Sequence, residues 1–113
     1  MNRSQKNNNP CNLRFAGQVE ATGPDDEHFA IFKDAPAGFR AAHAQIKLDQ
    51  ERGKTVGQFI AKYAPPNENN TSQYLEFVCD QMACRTTDPL SDLSPYALAG
   101  VMAQEEGYYV KEA

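Results

Sequence analysis

The sequence predicts a mainly helical α+β domain with about four helices and one small β-hairpin. Three features predict it. Apolar residues recur at i, i+3, i+4 and i+7 in several segments, capping and breaking residues frame those segments, and one turn-rich stretch near the start separates two short apolar runs.

Residues 1–9 (MNRSQKNNN) hold few apolar side chains and are expected to be a flexible lead-in, ordered only toward Asn8 and Asn9. A single domain then spans 10–113. Leu13–Val19 and Phe29–Phe32 read as strands, with the acidic turn Thr22–Glu27 between them. Asp34 as N-cap, Pro36 in the first turn and Gly53 as stop frame a long helix whose Phe39, Ala42, His43 and Ile46 share a face. Thr55 caps a short helix carrying Val56, Phe59, Ile60 and Tyr63, which Pro65-Pro66 ends. After the loop Pro65–Asn70, Thr71 caps a helix with Leu75, Val78, Cys79 and Met82 as its stripe, ending near Cys84. Past the polar connection Thr86–Leu93, Ser94 and Pro95 open a last helix that runs to about Glu106 and stops at Gly107.

With 113 residues and 12.5 kDa the chain suits one core, and no apolar run approaches the roughly 18–20 residues of a membrane span. Met1–Asn9 lacks the apolar middle of a secretory signal peptide. A net charge of −4, with eleven Lys and Arg scattered along the chain, offers no stripe for phosphates, so nucleic acid is not an expected partner. Cys11, Cys79 and Cys84 show no metal-ligand spacing; no metal and no cofactor are expected. Cys79 and Cys84, five apart, point to divergent helix faces and read as buried thiols.

One residue breaks its own pattern. Leu98, Val101, Met102 and Glu105 stand at i, i+3, i+4 and i+7, which sets Glu105 on the inward stripe and turns Glu106 away. A carboxyl at the edge of an apolar face is desolvated and favours its protonated form, the state a general acid needs. The plain alternative is a surface glutamate in the last turn of a helix.

A set of motifs favours the first reading: Asn8-Asn9-Pro10-Cys11-Asn12-Leu13-Arg14, then Phe29-Ala-Ile-Phe32, Gly38-Phe-Arg-Ala41, Gly53-Lys-Thr55, Tyr63-Ala-Pro-Pro66, Glu68-Asn-Asn-Thr71 and Tyr74, and finally Glu105-Glu106-Gly107. In this order they resemble a family of small phage virion and endolysin-associated proteins with Asn-Asn-Pro-Gly-Asn and Tyr-Ala-Pro-Pro segments and a closing Glu-Asn-Gly-like triplet. Tyr63-Ala-Pro with Glu68, Thr71 and Tyr74 also looks like the late Tyr and Glu-Thr-x-x-Tyr segments of lytic transglycosylases. The resemblance implies a lysozyme-like fold, circularly permuted, because the acidic helix comes last here. Cys11 stands where the family has Gly, and Glu106 where it often has Asn; if that Gly has a positive φ, Cys11 is strained.

What the resemblance implies is cleavage of peptidoglycan glycan strands, by a lytic transglycosylase or a muramidase of phage or prophage origin. It would act at the periplasm or cell wall, from the virion or the host cell. Glu105 would be the acid and Asn9, Asn12 and Tyr63 would bind substrate, with bacterial peptidoglycan and other virion proteins as partners. A hydrolase needs a second carboxylate, for which Asp25, Asp26, Glu27, Glu20 and Asp34 are at hand; a transglycosylase manages with one. Asn9 and Asn12 equally suit caps and turns, Tyr63 equally suits the core, Arg14 beside the hairpin suits a contact with a peptide-stem carboxylate although an exposed surface arginine is the default, and His43 reads as a core histidine. The competing functions are a non-catalytic virion or wall-binding protein and a peptidase acting on the cross-links.

Overall fold

The computed structural model describes residues 1–64 and 70–110, and the architecture is mainly α with one small hairpin. The long helices are α2 (Ala35–Glu51), α3 (Val56–Tyr63), α4 (Thr71–Met82) and α5 (Pro95–Glu105). Their ends form where the capping chemistry directs. Asp34 accepts from the Ala37 amide, Thr55 makes a capping box with Gln58, and Ser94 accepts from the Ala97 amide ahead of Pro95. Past α2 and α5, Gly53 (φ 73°) and Gly107 (φ 81°) take the left-handed turn that ends each helix. The cap of α4 is Asn70 rather than Thr71; the Thr71 hydroxyl instead donates to the Ala64 carbonyl at 2.6 Å and ties α4 to the end of α3. Pro65 and Pro66 of the Tyr-Ala-Pro-Pro motif, and Glu68 and Asn69 of the Glu-Asn-Asn-Thr segment, lie outside the described residues.

Helix α5 packs against both α2 and α4, and α3 against α4, around a core that includes Ile46, Phe59, Ile60, Val78, Leu98 and Met102. A 3-10 turn, Leu90–Asp92, packs on α2 and buries Leu90.

Three expectations are corrected. The first nine residues are not a loose lead-in. They contain α1 (Arg3–Lys6), started by an Asn2–Gln5 capping box, with Ser4 buried beneath it. Gln5 Nε2 donates to the carbonyls of Tyr108 and Val110 at 3.0 and 2.7 Å, and Asn2 Nδ2 to that of Gly107 at 2.8 Å, so residues 2–5 are clamped to 107–110. Polarity was misleading because these side chains satisfy backbone groups of a distant segment.

The hairpin also shifts. Strand β1 is Ala21–Pro24, overlapping the start of the stretch expected to turn, and pairs antiparallel with β2, Ala30–Phe32. The Leu13–Val19 run contributes only a bridge, Arg14 to Phe29, and the Leu13 carbonyl as acceptor for Ala30. Asp25 makes the turn, its carboxylate accepting from the amides of Glu27 and Phe29 at 2.8 and 2.9 Å.

Cys79 and Cys84 do not diverge: Ala83 adopts φ 52°, the chain folds back, and the two sulfurs come to 3.8 Å.

The Asn-Asn-Pro segment and the Gly38-Phe-Arg-Ala41 motif meet. A Cβ on Gly38 would stand 2.1 Å from the Asn8 carbonyl oxygen and 2.7 Å from Pro10 Cδ, so only glycine lets this segment lie on α2. Positive φ falls on Asn8 (49°) and Asn12 (51°), asparagine being a residue that tolerates it, and not on Cys11. Cys11 is unstrained, wholly buried, and its thiol faces the Ala99 carbonyl of α5 at 3.4 Å.

Candidate functional site

A cleft of about 470 Å3 opens between the Asn12–Gln18 segment, Phe29 of the hairpin, the second half of α2, helix α3 and the end of α5. Glu106 lines it; Glu105 does not.

The inward position expected for Glu105 is thus corrected by one residue. The buried residues of α5 are Leu98, Ala99, Met102 and Ala103. With Leu98 at zero and roughly 100° per residue, Met102 stands near about 40°, Ala99 near about 100° and Ala103 near about 140°, so the buried face centres near about 70°. Glu106, near about 80°, lies on that centre; Glu105, near about −20°, is a quarter-turn off it and exposed. The two alanines rotate the face, and a pattern read from Leu, Val and Met alone omits them.

Glu106 is half-buried, and Asn12 Nδ2 donates to its Oε1 at 2.9 Å. Burial raises its pKa above the ordinary glutamate value, and Glu105 adds to the rise; hydrogen bonding by Asn12, the neighbouring Tyr74 and the charge of Arg3 oppose it without cancelling it. The Tyr63 and Tyr74 hydroxyls and Asn12 Oδ1 are buried with no hydrogen-bond partner among the described residues. Both phenols lie within electrostatic reach of Glu106 but short of a well-formed hydrogen bond, and burial holds both in their neutral form. Three unmet polar atoms around one carboxyl are unusual in a folded interior.

The expected site residues separate. Asn12 and Tyr63 line the cleft. Asn9 does not: it is fully buried, its Nδ2 donating to the Leu13 and Ala30 carbonyls and its Oδ1 accepting from the Leu13 amide, all at 2.9 Å. Each of those bonds holds the backbone, leaving Asn9 a structural clamp. Tyr63 stacks on Phe59 at 5.6 Å and meets Tyr74 edge-on at 6.5 Å, so its ring is packed while its hydroxyl stays unpaired.

None of the five acidic residues considered as a second carboxylate lines this cleft. Glu20 is engaged by Arg40 at 2.6 and 2.7 Å, Asp34 caps α2, and Asp25 organises its turn. Although burial works against it, hydrogen bonds from Asn7 and from the Phe29 and Glu27 amides, with the charge of Arg3, keep Asp25 below the usual aspartate range.

The cleft's other carboxylate, missed in the sequence, is Asp49 of α2. It is fully buried, accepts from Lys62 at 2.9 and 3.2 Å and from Gln45 at 2.9 Å, and has Arg52 3.7 Å away. Burial opposes its ionised form, but Gln45, Lys62 and Arg52 outweigh that and hold its pKa below the usual value. A signal was present: Asp49 follows Ala42 and Ile46 at i+7 and i+3, a charged residue on a core stripe.

Cysteine chemistry is not available at this cleft. Burial pushes the Cys11 thiol far above its ordinary pKa, and Cys11 does not line the cleft. His43 lies against Tyr96 at 4.2 Å, and burial, with Lys47 nearby, lowers its pKa. Among the described residues no three His, Cys, Asp or Glu side chains gather as metal ligands, and no helix is long and apolar enough to cross a membrane.

The chain resembles a bacteriophage protein. It is 26% identical over 114 residues to Protein P5 of Pseudoalteromonas phage PM2, a match covering 93% of this chain and 71% of that protein. No protein-family model matches the chain.

Proposed function

We propose that this chain is a phage-derived, lysozyme-like enzyme that cleaves the glycan strands of peptidoglycan as a lytic transglycosylase, with Glu106 in place of Glu105 as general acid. The observation that carries the reading is Glu106 itself: a carboxyl at the end of a helix, half-buried in a cleft, shifted toward its protonated form and surrounded by unpaired polar atoms. The motif resemblance supports the substrate class, and the likeness to a phage protein supports the origin. The clamp between residues 2–5 and 107–110 supports a permuted order, since chain segments that meet can exchange their connection.

A proton from Glu106 goes to the glycosidic oxygen as the bond from that oxygen to the muramic C1 breaks. The 6-hydroxyl of the same muramic residue attacks C1, its proton returns to the Glu106 carboxylate, and a 1,6-anhydro end results. Asn12 holds the carboxyl in place, and the buried Tyr63 and Tyr74 hydroxyls stand near Glu106 and stabilise it as it ionises. The single-acid route is favoured because Asp49, the cleft's second carboxylate, is covered by Lys62 and cannot reach a sugar. The protein would act at the cell wall, from the virion or during lysis.

Digestion of purified peptidoglycan, with soluble fragments read by mass spectrometry, tests this. Wild type should release 1,6-anhydro-muramic ends, Glu106→Gln should release roughly 100-fold less or lower still, and Glu105→Gln should stay within about threefold of wild type. Reducing ends would mean hydrolysis; a folded wild type that releases nothing contradicts the proposal.

A further inference from the structure

The cleft is positive on a negative chain. Arg3, Arg14, Arg52 and Lys62 line it against Asp49 and Glu106, while the whole chain carries −4. A local field of opposite sign to the molecule's net charge points to an anionic ligand at that place.

The four cations are not equivalent. Arg3 is engaged by Glu27 at 2.7 Å and stacks 4.0 Å from the centre of the Phe29 ring; Arg14 donates to the Glu27 carbonyl at 3.2 Å and lies 4.4 Å from the same ring. At the other wall, Arg52 and Lys62 share one carboxylate. Lys62 holds Asp49 at hydrogen-bond distance, whereas Arg52 stands off at 3.7 Å with its side chain 52% exposed. That wall has one positive charge more than its carboxylate neutralises, and Arg52 carries a guanidinium fork suited to a carboxylate.

We infer that Arg52, supported by the Asp49–Lys62 pair, forms a subsite for a carboxylate on the muramic arm of the glycan. The inference rests on the glycan-cleavage reading and specifies which chains that activity selects. Two positions on the substrate offer this chemistry: the peptide stem, and the lactyl group once the stem is removed. Asp49 is a positioning residue here, anchoring Lys62 and setting the charge of the wall.

The test is equilibrium binding by calorimetry to Glu106→Gln, which keeps the sugar intact. The probes are a chitin oligosaccharide, which has no carboxylate, a stem-bearing glycan of the same length, and the same glycan stripped by amidase. Carboxylate-bearing strands should bind about tenfold more tightly than chitin at low salt, with the preference shrinking in high salt. The stripped strand tells which of the two positions is read. Arg52→Gln should erase most of the preference and leave chitin affinity unchanged, and Arg52→Lys should keep part of it. Equal affinity for chitin and the carboxylate-bearing strands, or a preference that survives Arg52→Gln, overturns the subsite alone. No binding to any glycan overturns the glycan-cleavage reading itself.

Discussion

Two carboxylates line one cleft and are treated in opposite ways by the same fold. Asp49 is surrounded by donors, Gln45, Lys62 and Arg52, and its pKa is lowered; Glu106 has the Asn12 amide, two phenols without a well-formed hydrogen bond and Glu105 as a like charge, and its pKa is raised. Burial works to raise the pKa of both; at Asp49 the surrounding donors outweigh it, and at Glu106 they do not. What decides it is how many donors the neighbouring elements supply. A satisfied carboxylate serves the fold, and an under-satisfied one is available for chemistry.

The largest effect that would break this contrast is on stability at Asp49. Asp49→Ala should cost about 2 kcal/mol, a fall in Tm on the order of 10 °C, from lost charge-assisted hydrogen bonds; Lys62, half exposed, regains solvent and limits the loss. A variant as stable as wild type would remove the structural role given to Asp49.

Glu106 should behave in the reverse sense. Its folded pKa is raised, so the folded state favours the protonated form; that contribution is full below the unfolded pKa and is lost as pH rises through the folded value. Glu106→Gln should therefore be more stable than wild type at neutral pH, read by chemical denaturation. The gain should close as pH falls below about 4.3. A gain that persists in acid, or a loss at neutral pH, would contradict the raised pKa. Cleavage by wild type should likewise decline as pH rises through the Glu106 pKa.

The smallest effect sharpens the contrast. Tyr74→Phe removes a hydroxyl with no hydrogen-bond partner among the described residues, so stability should change by less than about 0.5 kcal/mol. The cleavage rate should fall by roughly tenfold if that hydroxyl assists Glu106. Chemical denaturation beside initial rates separates the two, and a rate equal to wild type would remove Tyr74 from the site.

Much of the fold was legible because capping residues act locally: Asp34, Thr55 and Ser94 start their helices where the sequence places them. Helix α1 was not, because its polar side chains serve carbonyls about a hundred residues away. The hairpin slipped because Asp25 makes the turn with its own carboxylate, a contact that apolar alternation does not record. In the candidate site, Asn12 and Tyr63 were legible as cleft residues, the glutamate on the buried face was placed one residue early through two uncounted alanines, and Asp49 was overlooked although it breaks a core stripe. Asn9 and Asn12 belong to one motif and divide between structure and cleft, a difference only the three-dimensional partners reveal.

The most direct measurement is a carbon-13 NMR titration of the side-chain carboxyls in the wild-type protein, with Glu106 and Asp49 assigned through the Gln and Asn variants. The account predicts that Glu106 titrates above the ordinary glutamate value of about 4.3 and Asp49 below the ordinary aspartate value of about 3.9. A Glu106 that titrates at or below its ordinary value, with Asp49 no lower than its own, would contradict the division of labour in this cleft.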